Sequence, residues 1–175
     1  MKLKNTEKGG YNLDNKTIFI RLSFAFILGL LIGLEREIYN KPAGMRTHIM
    51  VSLGSALTML FGIYMTHQYP GVDPTRISAQ VISGIGFLGA LCVLREQRSI
   101  IGLTTASSIW VVACIGLAVG GGFISGACIT TAFILFDLFF LGKFDPFKAH
   151  RERNLEFQNK IMKENMEDEK NGIDK

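Results

Sequence analysis

The stretch Thr17 to Leu34, TIFIRLSFAFILGLLIGL, decides the fold: it runs for eighteen residues with one charge, Arg21, and no proline. At about 1.5 Å of rise per residue such a helix spans roughly 27 Å, close to the ~30 Å hydrocarbon core of a bilayer. Four more apolar runs follow, His48 to Met65, Ile77 to Leu94, Leu103 to Gly120 and Gly121 to Leu141. Of the chain's 19 Lys and Arg and 15 Asp and Glu, these four runs contain only Asp137. A helix of a soluble protein carries charge on its outer face because that face meets water, so a soluble fold is excluded. The expected architecture is all-α: a polytopic bundle of five transmembrane helices over residues 17–142. A polar N-terminal tail (1–16) precedes it and a charged tail (143–175) follows. That tail dilutes the mean hydropathy to +0.27. The first run ends in Glu35-Arg36-Glu37 rather than in small residues suited to cleavage, so it reads as a mature helix and not as a leader.

The formal charge of +4 does not call for nucleic acid, because the basic residues flank the apolar runs, where they orient helices and meet anionic lipid. With five spans the connecting segments fall into two groups. The N-terminal tail, the loop 66–76 and the Gly120–Gly122 turn hold five Lys and Arg; the loops 35–47 and 95–102 and the C-terminal tail hold thirteen. The positive-inside bias predicts an external N-terminus and a cytoplasmic C-terminus. The tail beyond Lys143 has too few apolar residues for a core of its own and reads as a solvated or membrane-surface extension. Cys92, Cys114 and Cys128 all lie within apolar runs and read as small buried hydrophobes, without disulfide or metal spacing.

Helices in lipid associate through small residues that let their backbones approach. Gly29 and Gly33, Gly86 and Ala90 beside Gly84 and Gly89, and Gly122 and Gly126 have the required spacing, and packing of one bundle accounts for them. A polar stripe on the third helix, Arg76, Gln80 and Ser83 leading to Phe87, follows the progression of a single helix face. Gln80 needs a partner, because an unpaired amide in hydrocarbon costs several kcal/mol. Asp73 followed by Pro74 reads as a helix cap with proline in the first turn, and one carboxylate beside Arg76 makes a poor divalent-cation site.

At the opposite membrane face the topology gathers Glu35, Arg36 and Glu37, then Arg46, Thr47 and His48 after the Pro42-Ala43-Gly44 turn. Arg95, Glu96 and Arg98 join them, with Thr104, Ser107 and Ser108 on the entering fourth helix. An interfacial belt of ion pairs and a functional cluster are both open readings of this group. Arg21, near the external end of its helix, can snorkel or take a local partner. Asp137, four residues before the end of its run, is expected to find Lys143, Arg36 or Arg95. No nucleophile with a base, phosphate loop or metal spacing is present, so no enzyme activity, cofactor or metal site is expected.

Three motifs in order then carry a resemblance. Gly33-Leu34-Glu35-Arg36-Glu37 with Pro42-Ala43-Gly44-Met45-Arg46-Thr47-His48 resembles the start of the MgtC/SapB family of bacterial membrane proteins. The string from Asp73 through Arg76, Gln80, Ser83, Gly84, Gly86 and Gly89 to Ala90 looks like the family's third-helix signature. Gly102-Leu103-Thr104-Thr105-Ala106-Ser107-Ser108-Ile109-Trp110-Val111 looks like its fourth-helix entry. The resemblance implies a multi-pass inner-membrane protein linked to growth in low magnesium, acid stress and survival inside host cells. In the virulence branch it implies restraint of the F-type ATP synthase. Leu91-Cys92 departs from a third small residue after Gly89-Ala90. The short charged tail stands where the virulence branch has a soluble domain, which puts the chain closer to the SapB-like form.

Two functions follow as expectations. The first is a non-enzymatic regulator, embedded in the bilayer, that contacts another integral membrane protein through its small-residue faces and the Glu35/Arg46 cluster; a homo-oligomer is a further expected association. The second is a transporter or channel for Mg²⁺ or another small ion, its path lined by Arg76, Gln80, Ser83, Thr104 and Asp137. The arginines among the acidic residues weigh against a Mg²⁺ path, which calls for several convergent oxygens.

Overall fold

The computed structural model describes residues 13–69, 71–96 and 99–140, and between 94 and 101 the backbone alone. The N-terminal residues up to 12 and the charged tail lie outside the described residues. Five helices coincide with the five apolar runs: α1 (Asn15–Ile38), α2 (Met45–Gln68), α3 (Thr75–Leu91), α4 (Leu103–Gly120) and α5 (Ile124–Phe140). The expected loop before α4 contains a short antiparallel hairpin, β1 (Leu94–Glu96) with β2 (Ser99–Ile101), in the register Leu94 to Ile101. Apart from that hairpin the described fold is all-helical.

By length and composition α1, α2 and α4 can each cross a membrane, and α5 is a shorter apolar helix. The described surface fits that setting: Phe19, Phe26, Leu31, Met50, Phe61 and Phe133 are exposed, while Glu35, Arg36, His48, Ser52, Thr105 and Ser108 are buried. Large apolar side chains outside and polar groups inside are the pattern of a protein solvated by lipid.

Helix ends follow from local chemistry. α1 stops because Asn40 turns left-handed (φ 50°) and lets two amides reach back, Asn40 N–H to the Glu37 carbonyl and Lys41 N–H to that of Arg36. The same closure ends α4, with Gly122 at φ 91° and the amides of Gly122 and Phe123 bonded to the carbonyls of Val119 and Ala118. Glu37 starts α2: its Oε2 accepts the Met45 amide at 2.9 Å, placing a carboxylate at the positive end of that helix.

α2 is the central element, packed against α1 on one side and α4 on the other, with α3 resting on α2 and α4. The approach is backbone to backbone. A Cβ on Gly29 would lie 2.9 Å from the His48 carbonyl oxygen, and one on Gly33 would lie 2.6 Å from Met45 Cα. A Cβ on Gly116 would collide with the Ser52 carbonyl, and one on Gly120 would lie 2.5 Å from that of Ala56. Ala25, Ile32, Ala56, Val112, Ala113 and Val119 fill the remaining interior. The chain divides into two compact units at Leu135/Phe136; of the second, only the last turn of α5 is described, in which Phe136 and Phe140 stack at 4.7 Å between ring centroids.

Candidate functional site

The polar residues gathered near the α1–α2 turn separate into an inward and an outward set. α1 ends with Glu35 and Arg36 facing the bundle, 1% and 4% exposed. They pair with each other: Arg36 Nε donates to Glu35 Oε2 at 2.6 Å and Nη2 donates to Oε1 at 3.2 Å. Two parallel bonds between neighbouring residues satisfy the carboxylate in the geometry that suits a guanidinium. Arg36 Nη1 is buried with no hydrogen-bond partner among the described residues.

Beside this pair is His48, fully buried on the first turn of α2. Its Nδ1 lies 2.8 Å from the Gly44 carbonyl oxygen, which can only accept, so Nδ1 carries a proton. Its Nε2 lies 3.0 Å from Ser108 Oγ on α4, and that hydroxyl also donates to the Thr105 carbonyl at 2.8 Å. With a neutral ring, one hydroxyl hydrogen therefore serves two acceptors. One turn further along α2, Ser52 Oγ donates to the Ala25 carbonyl at 2.8 Å. These bonds stitch α1, α2 and α4 together where the small residues have already brought the backbones close.

The outward set is Glu37, Arg46, Thr47, Thr104 and Ser107. The expected Glu35/Arg46 cluster is accordingly split by burial: Glu35 faces the core and Arg46 the exterior. The expected common face of Thr104, Ser107 and Ser108 is split as well, because Thr105 and Ser108 turn inward while Thr104 and Ser107 do not. Arg95 and Arg98 fall where side chains are not described.

On α3 the buried face is Ser78, Ile85 and Gly89, against Met59 of α2 and Ala106 of α4. The stripe Arg76, Gln80, Ser83 and Phe87 lies on the opposite, exposed side. Gly84 and Gly86, expected to pack, face open space; Gly89 does meet Ala106, at ordinary contact distance. Asp73 caps α3 as its sequence suggests, its Oδ1 accepting both the amide (2.9 Å) and the hydroxyl (2.7 Å) of Thr75. Those bonds hold the Asp73 carboxyl below its ordinary range, the hydroxyl contributing most. Asp137 is exposed; Arg36, one of its expected partners, is bonded to Glu35, and Lys143 lies outside the described residues.

Sequence reasoning missed Gly116 and Gly120, although their four-residue spacing was available as a signal. It also missed the pairing of Arg21 with α4. Among the described residues, no group of three or more His, Cys, Asp or Glu side chains is placed to hold a metal ion.

A family model described as the MgtC family matches residues 22–147, which include Glu35, Arg36, His48, Ser52 and Ser108. The chain belongs to the MgtC family. Within it, the chain is similar to protein SapB of Bacillus subtilis (strain 168), 41% identical over 130 residues that cover 71% of this chain and 56% of SapB. It is similar to the putative magnesium transporter YhiD of Escherichia coli (strain K12), 45% identical over 59% of this chain and 50% of YhiD. It is also similar to protein MgtC of Brucella abortus (strain 2308), 41% identical over 65% of this chain and 47% of that protein. The matches span about half the length of these MgtC-family relatives. No solved structure matches the chain.

Proposed function

We propose that this chain is a non-enzymatic protein of the bacterial inner membrane that regulates another membrane protein in Mg²⁺ homeostasis or stress adaptation, by lateral contact within the bilayer. Its five helices all span, with the N-terminus outside and the C-terminus cytoplasmic. One observation carries this reading: Arg76, Gln80, Ser83, Thr104 and Asp137, the residues that would line a path, are all exposed on the outside of the chain. The interior supports the same reading. Its polar groups are largely occupied by one another, and α1, α2 and α4 meet at glycine-to-backbone distances that leave little width for a hydrated ion. Arg46 and Thr47, exposed in the first turn of α2, supply the contact surface for the regulated protein.

The name of one relative, putative magnesium transporter, favours a second reading, a transporter or channel for Mg²⁺ or another small ion. Purified protein in liposomes, with internal reporters for Mg²⁺, pH and membrane potential, separates the two. The regulator reading expects tight, silent vesicles. A saturable flux abolished by Asp137→Asn with Gln80→Leu makes the chain a transporter. In cells, the regulator reading expects Arg46→Gln to remove the effect on growth at limiting Mg²⁺ while the protein remains in the membrane at its normal level.

A further inference from the structure

The outer face of α3 combines an exposed row of small residues with an exposed amide. Ala79, Ser83, Gly86 and Ala90 follow helix spacing and are all exposed, and a Cβ on Gly84 or Gly86 would meet nothing within 4 Å. On α1 and α4 the corresponding glycines, Gly29 and Gly33 and then Gly116 and Gly120, are each covered by the α2 backbone. Beside the α3 stripe is Gln80, an exposed amide with no hydrogen-bond partner among the described residues, about 7.5 Å along the helix from Thr75 at ~1.5 Å per residue. Lipid tails offer an amide neither donor nor acceptor, and a small-residue stripe left against lipid forgoes the packing it permits.

We infer that this face is the interface with a second copy of the chain, two α3 helices crossing about a twofold axis along the membrane normal. The choice of occupant rests on self-complementarity. An amide is both donor and acceptor, so two Gln80 side chains satisfy each other across a twofold axis, and a small stripe packs best against an identical one. Charge at the mouth of the face agrees. Asp73 and Arg76 are both exposed at the start of α3, so each Arg76 has an opposite charge available on the loop of the neighbouring copy. The inference rests on the proposal that α3 spans the membrane. It leaves Arg46 and Thr47, at the other end of the bundle, free for the regulated protein.

Oxidative cross-linking in native membranes tests it. In a chain with Cys92, Cys114 and Cys128 replaced by Ala, Ser83→Cys is expected to yield a disulfide-linked homodimer, and Met50→Cys, on the exposed side of α2, none. Adding Gly86→Ile, which enters open space in the single chain, is expected to lower the yield about tenfold, the equivalent of ~1.4 kcal/mol of association. Subunit counting by stepwise photobleaching of the wild-type chain in lipid bilayers provides the reading without the cysteine replacements: two steps expected, one step with Gly86→Ile. Single steps for the wild type overturn the inference, as does a Ser83→Cys adduct with a different protein. Labelling of Gln80→Cys by a membrane-impermeant maleimide isolates the underlying premise. Rapid labelling removes α3 from the membrane and defeats the spanning proposal itself, whereas protection from the reagent with single photobleaching steps defeats only the dimer.

Discussion

Arg21 on α1 donates from Nη1 to the carbonyl oxygen of Gly120, the last residue of α4, at 2.7 Å, across 99 residues of sequence. A cation thereby satisfies an acceptor that the end of a helix leaves without an intrahelical partner, at the negative end of the α4 dipole. Gly122 belongs to the same arrangement, since a Cβ there would lie 2.9 Å from Arg21 Nη2. Arg21→Met is expected to cost about 1.5–3 kcal/mol, the range for a hydrogen bond to a charged group, read as a lower midpoint for thermal unfolding in detergent micelles. An unchanged midpoint would mean that Arg21 only snorkels toward the headgroups.

The Glu35–Arg36 pair predicts a strongly non-additive cycle. Glu35→Gln removes the charge that compensates a buried guanidinium and is expected to destabilise by about 3–5 kcal/mol. Replacing both residues by leucine removes the uncompensated charge as well, and should fall within about 1–2 kcal/mol of the wild type. Equilibrium unfolding of Glu35→Leu, Arg36→Leu and the double-leucine variant checks this, and additive losses would count against the pair.

Two glycines at comparable sequence positions should respond in opposite ways. Gly116→Ala forces α4 away from the Ser52 carbonyl and is expected to cost about 1–3 kcal/mol by overpacking. Gly84→Ala enters open space and gains helix propensity, so the single chain should be unchanged or up to about 1 kcal/mol more stable. Comparing the two midpoints in micelles at high dilution reads the contrast directly.

The Asp73 cap gives α3 a pH dependence. Its folded carboxyl titrates below the unfolded value of 3.8 because the ionised form accepts two bonds from Thr75. A depressed pKa contributes stability that is fully present above the unfolded value and is lost as pH falls through the folded value. Protection of the Thr75 amide from hydrogen exchange should therefore hold at neutral pH and decline only in strong acid. Asp73→Asn, which keeps an acceptor without the charge, should remove that decline.

Gly29 and Gly33 are legible from their spacing, because close helix approach in lipid requires small residues and leaves a pattern. The Asp73 cap was equally readable, since it acts within three residues. The spacing of Gln80 and Ser83 puts them on one face, and the structure exposes both, but the direction of that face is not readable from spacing. In a soluble helix the charged side marks the exterior; here both faces of α3 mix polar, small and apolar residues, Ser78, Ile85 and Gly89 on the buried one and Gln80, Ser83 and Phe87 on the exposed one, so periodicity defines a stripe without saying what it faces. Glu35 and Arg46 illustrate the same gap, drawn together by topology and separated by the rotation of the chain through the α1–α2 turn.

The amino-acid sequence by itself determined five helices, their order and nearly their ends, because long uncharged runs in lipid must satisfy their own backbone bonds and only a helix does so within one segment. It also determined the family, through motifs that lie on those helices. Tertiary structure decided which side of each helix faces the interior: Glu35, His48 and Ser108 inward, Arg46, Thr104 and Gln80 outward. Where solvent and core are both apolar, burial no longer sorts side chains by hydrophobicity. The orientation is set by which backbones can come closest, and that depends on pairs such as Gly116 and Ser52, brought together only when the chain has folded.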